Sequence, residues 1–483
     1  MVLATNKHRF LLPVYEVTKQ MPFRRFRRWL ALGWSLRLDL RESLLPPPRR
    51  CRRWLPPLLM FNISQKTPMN FELPEDVRQM QQTLRRFMDH QVLTQNAEYE
   101  RIAGTGAYPS AVIEPLKQMA RELGLWNLFL PGLRADEPGT RLTNMQYAPL
   151  AEIMGRIPWA SEVFNCNAPD TGNMELLHLF ATPEQRERWL NDLLEGKTRS
   201  CFAMTEPDVA SSDATNIQTT IRKDGGNYVI NGRKWFTTGA MHPNCRLAIV
   251  MGVTNEATDA PRHQRHSMVL VPLDTQGLRI VRNVPIMHHH APEGHCEVTF
   301  TNVRVPASNL LGQENAGFAL AQARLGPGRV HHCMRTIGQC ELAVELMCDR
   351  ALTRRAFGKH IADFANVQDW IAHSRVEIDQ ARLLVLQAAW KMDTYGNKST
   401  HLDVSAIKLV AAQLQTRVVD RAMQVFGAMG VTPDTPLSYL WSWGRAMRFF
   451  DGPDEVHLRA IARAELARAK ANLGATAPYY NVA

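Results

Sequence analysis

The 483-residue sequence predicts a mainly α-helical chain with a central β domain: an N-terminal helical domain, a middle β-barrel and a C-terminal four-helix bundle. Three observations carry this reading. Apolar residues recur at three- and four-residue spacing from Pro74 to about Ser200; short apolar runs punctuated by Gly, Pro, Asn and Asp fill the stretch from about Cys201 to Pro306; and the helical period returns from Gly317 to about Leu473. Length agrees, since roughly 150 residues per domain leaves room for about three. The expected boundaries are a basic extension over 1–70, a helical domain over 71–200, a β domain over 201–310, a bundle over 311–475 and a short tail over 476–483.

Taken in order, the first helix opens on the acidic pair Glu75-Asp76 and carries Val77, Met80, Leu84, Phe87 and Met88 at helical spacing. Further helices are expected over 110–123, 145–154, 172–180 and 183–194. The last opens on Thr182-Pro183-Glu184, an N-cap followed by proline at the first helical position. In the middle domain, Ile217 to Ile221 and Tyr228 to Ile230 flank a Lys223-Asp224-Gly225-Gly226 turn. Runs at 247–253, 267–271, 278–281 and 296–303 add strands, which suits a barrel or sandwich. In the last third, Val344, Met347, Cys348 and Ala351 mark one buried face and Ile407, Val410, Ala411, Leu414 and Val418 another. A glycine-containing link spans Asp393 to Ser399, the texture of an antiparallel bundle.

Composition narrows the function classes. The net charge is +11, but residues 1–60, with 11 Arg, 2 Lys and 3 acids, hold +10 of it, so the body lacks the electrostatic excess of a nucleic-acid-binding surface. The extension is Arg-rich and broken by Pro46-Pro47-Pro48 and Pro56-Pro57. It reads as a targeting segment, a nucleic-acid or membrane arm, or an addition upstream of a domain start near Met60 or Met69, and it stays outside the fold argument. Eight cysteines without a C-x-x-C pair indicate a reducing compartment. No apolar run reaches about 18 residues, so no transmembrane segment is expected.

Several motifs fail on inspection. No G-x-G-x-x-G follows a strand, and Gly196-Lys197-Thr198 has Asn191 where a phosphate loop needs its first glycine. His288, His289, His290 and His295 invite a metal, yet adjacent residues on an extended segment point to opposite faces, so no metal site is expected. Three other segments stand out: Phe202 to Asp213, small and polar, where helices give way to strands; Asn231 to Gly239, with an aromatic pair followed by hydroxyls; and Phe449 to Val456, where a carboxylate follows two aromatics.

With these motifs in hand, the chain resembles the acyl-CoA dehydrogenase family over about residues 74–475. The motifs are T-E-P-x-x-x-S-x-D at Thr205–Asp213, G-x-K-W-x-T at Gly232–Thr237, R-x-x-F-G-K at Arg354–Lys359, Gln424-Val425-Phe426-Gly427 and Asp451-Gly452, all in family order. Asn167 to Asn173, the lengthened Thr205 to Asp213 segment and Asp451 to His457 look most like family members ten and eleven. The resemblance implies an FAD enzyme that removes two hydrogens from an acyl-CoA thioester. It implies that Phe202, Met204, Thr205, Ser211 and Ser212 line the flavin and its pyrophosphate, that Trp235 packs on the isoalloxazine and that the Thr237 hydroxyl meets N5. Arg354, Phe357, Gln368 and Gln424 match positions that reach the FAD of a neighbouring subunit, with Gly427, Pro453 and Glu455 completing the cofactor set.

Asp451 is then the expected catalytic base. A carboxylate takes the α-proton while the β-hydrogen leaves as hydride, and the loss of solvation beneath Phe449 and Phe450 when an acyl chain closes the pocket is expected to raise its pKa and its basicity. Some relatives draw the base from the position of Gly328, which holds no acceptor here. Arg329 matches a helix-start arginine near the site, where an ion pair and a CoA contact are both open, and Gly452 is the other expected substrate contact. Expected partners are acyl-CoA, an electron-transfer flavoprotein and a second copy of the chain in a dimer or tetramer. The compartment is cytoplasmic in a bacterium, mitochondrial or peroxisomal in a eukaryote. An acyl-CoA oxidase and an idle FAD-binding scaffold are the alternatives. A chain truncated to begin at Met69 keeps every motif, so its FAD content by absorbance and its turnover are expected to equal those of the full chain; loss of flavin on truncation would show that the extension packs on the body.

Overall fold

The computed structural model of the protein describes residues 69–255 and 259–480; the basic extension and the readings attached to it lie outside this range. The first helices are α1 (Glu75–Phe87), α2 (Asn96–Ala103), α3 (Ser110–Glu122), α4 (Asn144–Gly155) and α5 (Asp170–Phe180). The Thr182 signal is met in detail: its side chain accepts from the Gln185 N–H and the Gln185 side chain returns to the Thr182 N–H, with Pro183 at the first position. The helix expected to follow is divided, however, into α6 (Pro183–Gln185), a π-helical stretch Arg186–Leu190 and α7 (Asn191–Leu194). Val77, Leu84, Ile113, Leu150, Met154 and Leu177 fill the core of this layer.

The strands are β1 (Arg199–Ala203), β2 (Thr220–Asp224), β3 (Asn227–Thr238), β4 (Cys245–Val253), β5 (His266–Pro272), β6 (Leu278–Asn283), β7 (His295–Pro306) and β8 (Leu310–Leu311). They form one eight-stranded sheet in the order β6-β7-β3-β2-β4-β5-β8, with β1 added parallel to β4. Most pairs are antiparallel, and alternate residues of β3, β4, β5 and β7 bury Tyr228, Ile230, Val250, Val269, Val298 and Phe300 in a shared core. Sequence reading missed β1 and β8, which are too short to show a period, and placed Ile217 in a strand although it precedes β2. Antiparallel β3 and β7 pair through two irregularities, one of them between Lys234 and Thr237.

The last third consists of α8 (Gly317–Thr353), α9 (Ala365–Tyr395), α10 (His401–Phe426), α11 (Leu437–Met447) and α12 (Asp454–Ala471). Its 37 residues make α8 about 55 Å long. A two-stranded ribbon, β9 (Arg355–Ala356) with β10 (Lys359–His360), joins α8 to α9. Gly328 and Arg329 were expected at a helix start, but they lie well inside α8, just past Pro327. α8 packs on α10 and α9 and also on α4 and α5. At the α4/α8 crossing, a Cβ on Gly155 would overlap the Arg335 backbone and one on Gly338 would overlap the Glu152 carbonyl, so the two backbones touch. Gly338→Ala is expected to lower stability by about 1–3 kcal/mol, the usual cost of overpacking, seen as a lower denaturant midpoint, whereas Gly358→Ala, with nothing near its Cβ position, tests only its left-handed backbone.

Candidate active site

A cavity of about 980 Å³ opens where three segments of the fold meet. Its wall is built from the Asn167 to Gly172 stretch entering α5, the loop leaving β1, the end of β3, the middle of α8, and the turn between α11 and α12. Phe236 and Phe449 line it while staying exposed, so they mark its mouth. A succession of rings runs round it: Trp235 to Phe236 at 4.9 Å, His295 to Trp443 at 6.1 Å, Trp443 to Phe450 at 5.2 Å and Phe450 to His332 at 5.1 Å between centroids.

The loop after β1 is held by one buried ion pair. Lys234, 0% exposed on β3, donates to the Glu206 carboxylate at 2.9 Å and to the Met204 carbonyl at 2.8 Å. Glu206 also accepts from the backbone N–H groups of Gln218 and Thr219, each at 2.8 Å, so it ties the loop to the segment entering β2. The Trp235 N–H donates to the Thr205 carbonyl, and the Glu206 N–H donates to Ser211 Oγ. Met204, Thr205, Ser211, Ser212 and Trp235 therefore reach the cavity from one braced surface, with Phe202 beside them. Burial pushes the Lys234 ammonium down to about 8 against the pull of Glu206.

On the other strand partner, the irregular β3/β7 pairing and the left-handed Phe236 (φ 47°) alter the alternation. Thr238, not Thr237, lines the cavity, and its hydroxyl lies 2.9 Å from His295 Nδ1. Thr237 is buried, and its Oγ1 and Trp235 Nε1 have no hydrogen-bond partner within the protein. Such orphaned polar atoms are rare unless something satisfies them. Trp235 Nε1, on the wall of a large cavity next to a backbone-rich loop, fits a flavin, whose edge is lined with hydrogen-bonding atoms.

Asp451 lines the same cavity from the turn between α11 and α12, in a left-handed conformation (φ 55°). Its backbone carbonyl accepts from Arg329 Nε at 2.7 Å and lies 3.3 Å from His457 Nε2, and His332 Nε2 is 3.7 Å from its carboxylate. Burial alone pushes this carboxyl up, but His332, Arg329, Arg324 and Lys408 pull harder and leave it below the usual aspartate range. With no acyl chain over it, the cations beneath this carboxyl outweigh its burial. His332 is itself pushed down to about 3, chiefly by burial, so at neutral pH the fixed charges facing Asp451 are the two arginines and the lysine. Arg324 is buried, donates to Asn173 Oδ1 at 2.8 Å and lies 4.0 Å from the Phe202 ring centroid. Burial pushes it down to about 10.

The expected residues divide in two. Phe202, Met204, Thr205, Ser211, Ser212, Trp235, Arg329, Asp451, Gly452 and Pro453 line the cavity. Arg354, Phe357, Gln368, Gln424, Gly427 and Glu455 do not, and all six are exposed. Gly328 lines the cavity, and a Cβ there would meet nothing within 4 Å. Arg329 spends its Nε on the Asp451 backbone, which makes it a holder of the turn. Sequence reading passed over Lys408 and Arg324. Lys408, between Val404 and Ala412 at four-residue spacing on an apolar helix face, carried a legible signal.

Comparisons with known proteins agree over most of the chain. Residues 74–197, 201–303 and 315–466 match the models of the N-terminal, middle and C-terminal domains of acyl-CoA dehydrogenase. The chain is 54% identical over 412 residues to "Probable acyl-CoA dehydrogenase FadE2" of Mycobacterium tuberculosis, covering 84% of this chain and 99% of that one. It is 49% identical over 357 residues to human acyl-CoA dehydrogenase family member 11, covering 74% of this chain but only 45% of the human protein. A solved structure from Mycobacterium abscessus, assigned as an acyl-CoA dehydrogenase, superposes with a TM-score of 0.77 at 46% identity, covering 82% of this chain and 99% of that one.

Because Lys234 sits near 8 against 10.5 for a free side chain, the unfolded chain binds more protons than the folded one between those values, and stability gains from this site as pH rises through the window. Lys234→Met is expected to cost about 3–5 kcal/mol near pH 7, since it leaves Glu206 buried without its cation, and to erase that pH slope. Denaturant titrations at pH 7, 8.5 and 10 check both.

Proposed function

The chain belongs to the acyl-CoA dehydrogenases, a family of FAD-dependent oxidoreductases acting on acyl-CoA, and we propose that it converts an acyl-CoA to the trans-2-enoyl-CoA with Asp451 as the α-proton base. The observation that carries this reading is Asp451, an ionised carboxylate on the wall of the cavity that also receives the braced loop and Trp235; of the other acids lining it, Glu162 and Glu206 are held in ion pairs by Arg199 and Lys234, and burial pushes Glu293 up to about 6. FAD, when bound, supplies the hydride acceptor for the hydrogen leaving Cβ. Trp235, Thr205, Ser211 and Ser212 would hold it, with the Thr238 hydroxyl on the same wall.

The protein's own part is to orient and to stabilise charge. Asp451 stays ionised at neutral pH and is ready to take the α-proton. As that proton leaves, negative charge grows on the thioester within a site where Arg324, Arg329 and Lys408 carry fixed positive charge and water is limited by Trp443 and Phe450. Gly328 leaves room beside this chemistry and adds no second base.

The six expected residues away from the cavity fit a second role. Phe357 is 97% exposed, and Leu352 and Val431 are exposed as well. The exposure of Phe357, Arg354, Gln368 and Gln424 leaves them available to the FAD of a second copy, which supports an active form that is a homodimer or a dimer of dimers. Electrons are proposed to leave to an electron-transfer flavoprotein.

Asp451→Asn preserves volume but accepts no proton. With butyryl-, octanoyl- and palmitoyl-CoA as probes, anaerobic flavin bleaching is expected to fall at least 10²–10⁴-fold, with FAD retained. Gly328→Glu in that background offers a carboxylate room to act and is expected to recover part of the rate. Wild-type bleaching by Asp451→Asn would place the base elsewhere; no bleaching of the wild-type protein by any probe favours a scaffold, and fast reoxidation by dioxygen favours an oxidase.

A further inference from the structure

We propose that Lys408 is a positioning residue for Asp451, holding the turn that presents the carboxylate and keeping that carboxylate ionised. The proposal rests on Asp451 being the base. Lys408 lies in the middle of α10, is 0% exposed, and makes no ion pair with any carboxylate among the described residues. Its ammonium instead donates to the backbone carbonyls of Met447 and Gly452, the latter at 3.1 Å, and sits 5.7 Å from the Phe450 ring centroid. These two carbonyls bracket the turn that carries Asp451.

A buried ammonium is costly unless its position brings a return. Here one charged group closes the end of α11 onto the residue after Asp451, while Arg329 from α8 holds the Asp451 carbonyl itself. Together they fix a left-handed aspartate, a conformation that a non-glycine residue keeps only when its surroundings impose it. The same ammonium adds to the positive charge at the Asp451 carboxylate. The groups facing that carboxylate are His332, Arg329 and Arg324 from α8 and Lys408 from α10, next to Cys333, while His457 from α12 meets the Asp451 backbone carbonyl. His332 and His457 are held at about 3 and about 4, chiefly by burial, so neither replaces Lys408 as a cation at neutral pH. Asp454, the nearest other acid, is occupied by Arg448 at 2.7 Å.

The test uses full-length holoenzyme and compares wild type, Lys408→Met, Lys408→Gln and Asp451→Asn. Anaerobic flavin reduction by whichever of butyryl-, octanoyl- or palmitoyl-CoA reduces the wild type is followed by stopped flow from pH 5 to 8. The wild-type rate should be level across this range. Lys408→Met should show an acid limb with its half-maximum above pH 5 and a plateau at least tenfold lower, with FAD content unchanged. Lys408→Gln keeps a donor without the charge, so it should show the acid limb with a smaller loss of plateau. Level profiles at the wild-type rate in both Lys408 variants, with Asp451→Asn inactive, overturn the proposal while leaving Asp451 as base. If Lys408→Met fails to hold FAD, Lys408→Gln decides alone, and its level profile overturns the proposal. An active Asp451→Asn overturns the base assignment, and this proposal with it.

Discussion

The braced loop depends on a charge pair that water does not reach. Lys234 and Glu206 meet inside the β domain, and the carboxylate is shared with two backbone N–H groups from the approach to β2. Without it, the Met204 carbonyl and the N–H groups of Gln218 and Thr219 would lose their partners, and the chain from Met204 to Ser212 would lose its buried anchor. The ring of Trp235 and the hydroxyls of the loop come from different elements. Their relative placement is set by this pair, which lies at the edge of the cavity with Glu206 in its wall.

A second constraint is electrostatic. Three buried cations, Arg324, Arg329 and Lys408, face one buried carboxylate. Two of them are satisfied largely by backbone carbonyls and the third by the Asn173 amide and the Phe202 ring, so the cavity floor keeps a positive excess. That excess explains an aspartate that stays charged despite its burial. It also gives the site an environment suited to a reaction whose transition state gains negative charge.

Much of the fold was legible because long periodic segments and caps are local signals. The Thr182 cap, the hairpin at Gly225-Gly226 and the helical faces of α8 and α10 follow from residue order alone. What could not be read was tertiary. The bulge at Phe236 exchanges Thr238 for Thr237 in the wall, and only the β3/β7 register reveals it. Arg329 was set at a helix start by the family resemblance, yet α8 runs unbroken through Gly326-Pro327-Gly328. The direction of the shift at Asp451 depends on side chains from two helices, α8 and α10, that are distant from it in sequence.

The glycine crossing of α4 and α8 bears on how a ligand gets in. Gly155 and Gly338 let two helices meet backbone to backbone, and this joins the N-terminal layer to the bundle like a rivet. A long thioester must still pass in and its product out. The seam between those layers is the wrong part to yield, because parting it would break close packing along two full-length helices. Passage falls instead to the rim where Phe236 and Phe449 stand in solvent. Rotation of side chains at that rim is faster than the swing of a layer, so an opening there leaves the riveted scaffold undisturbed.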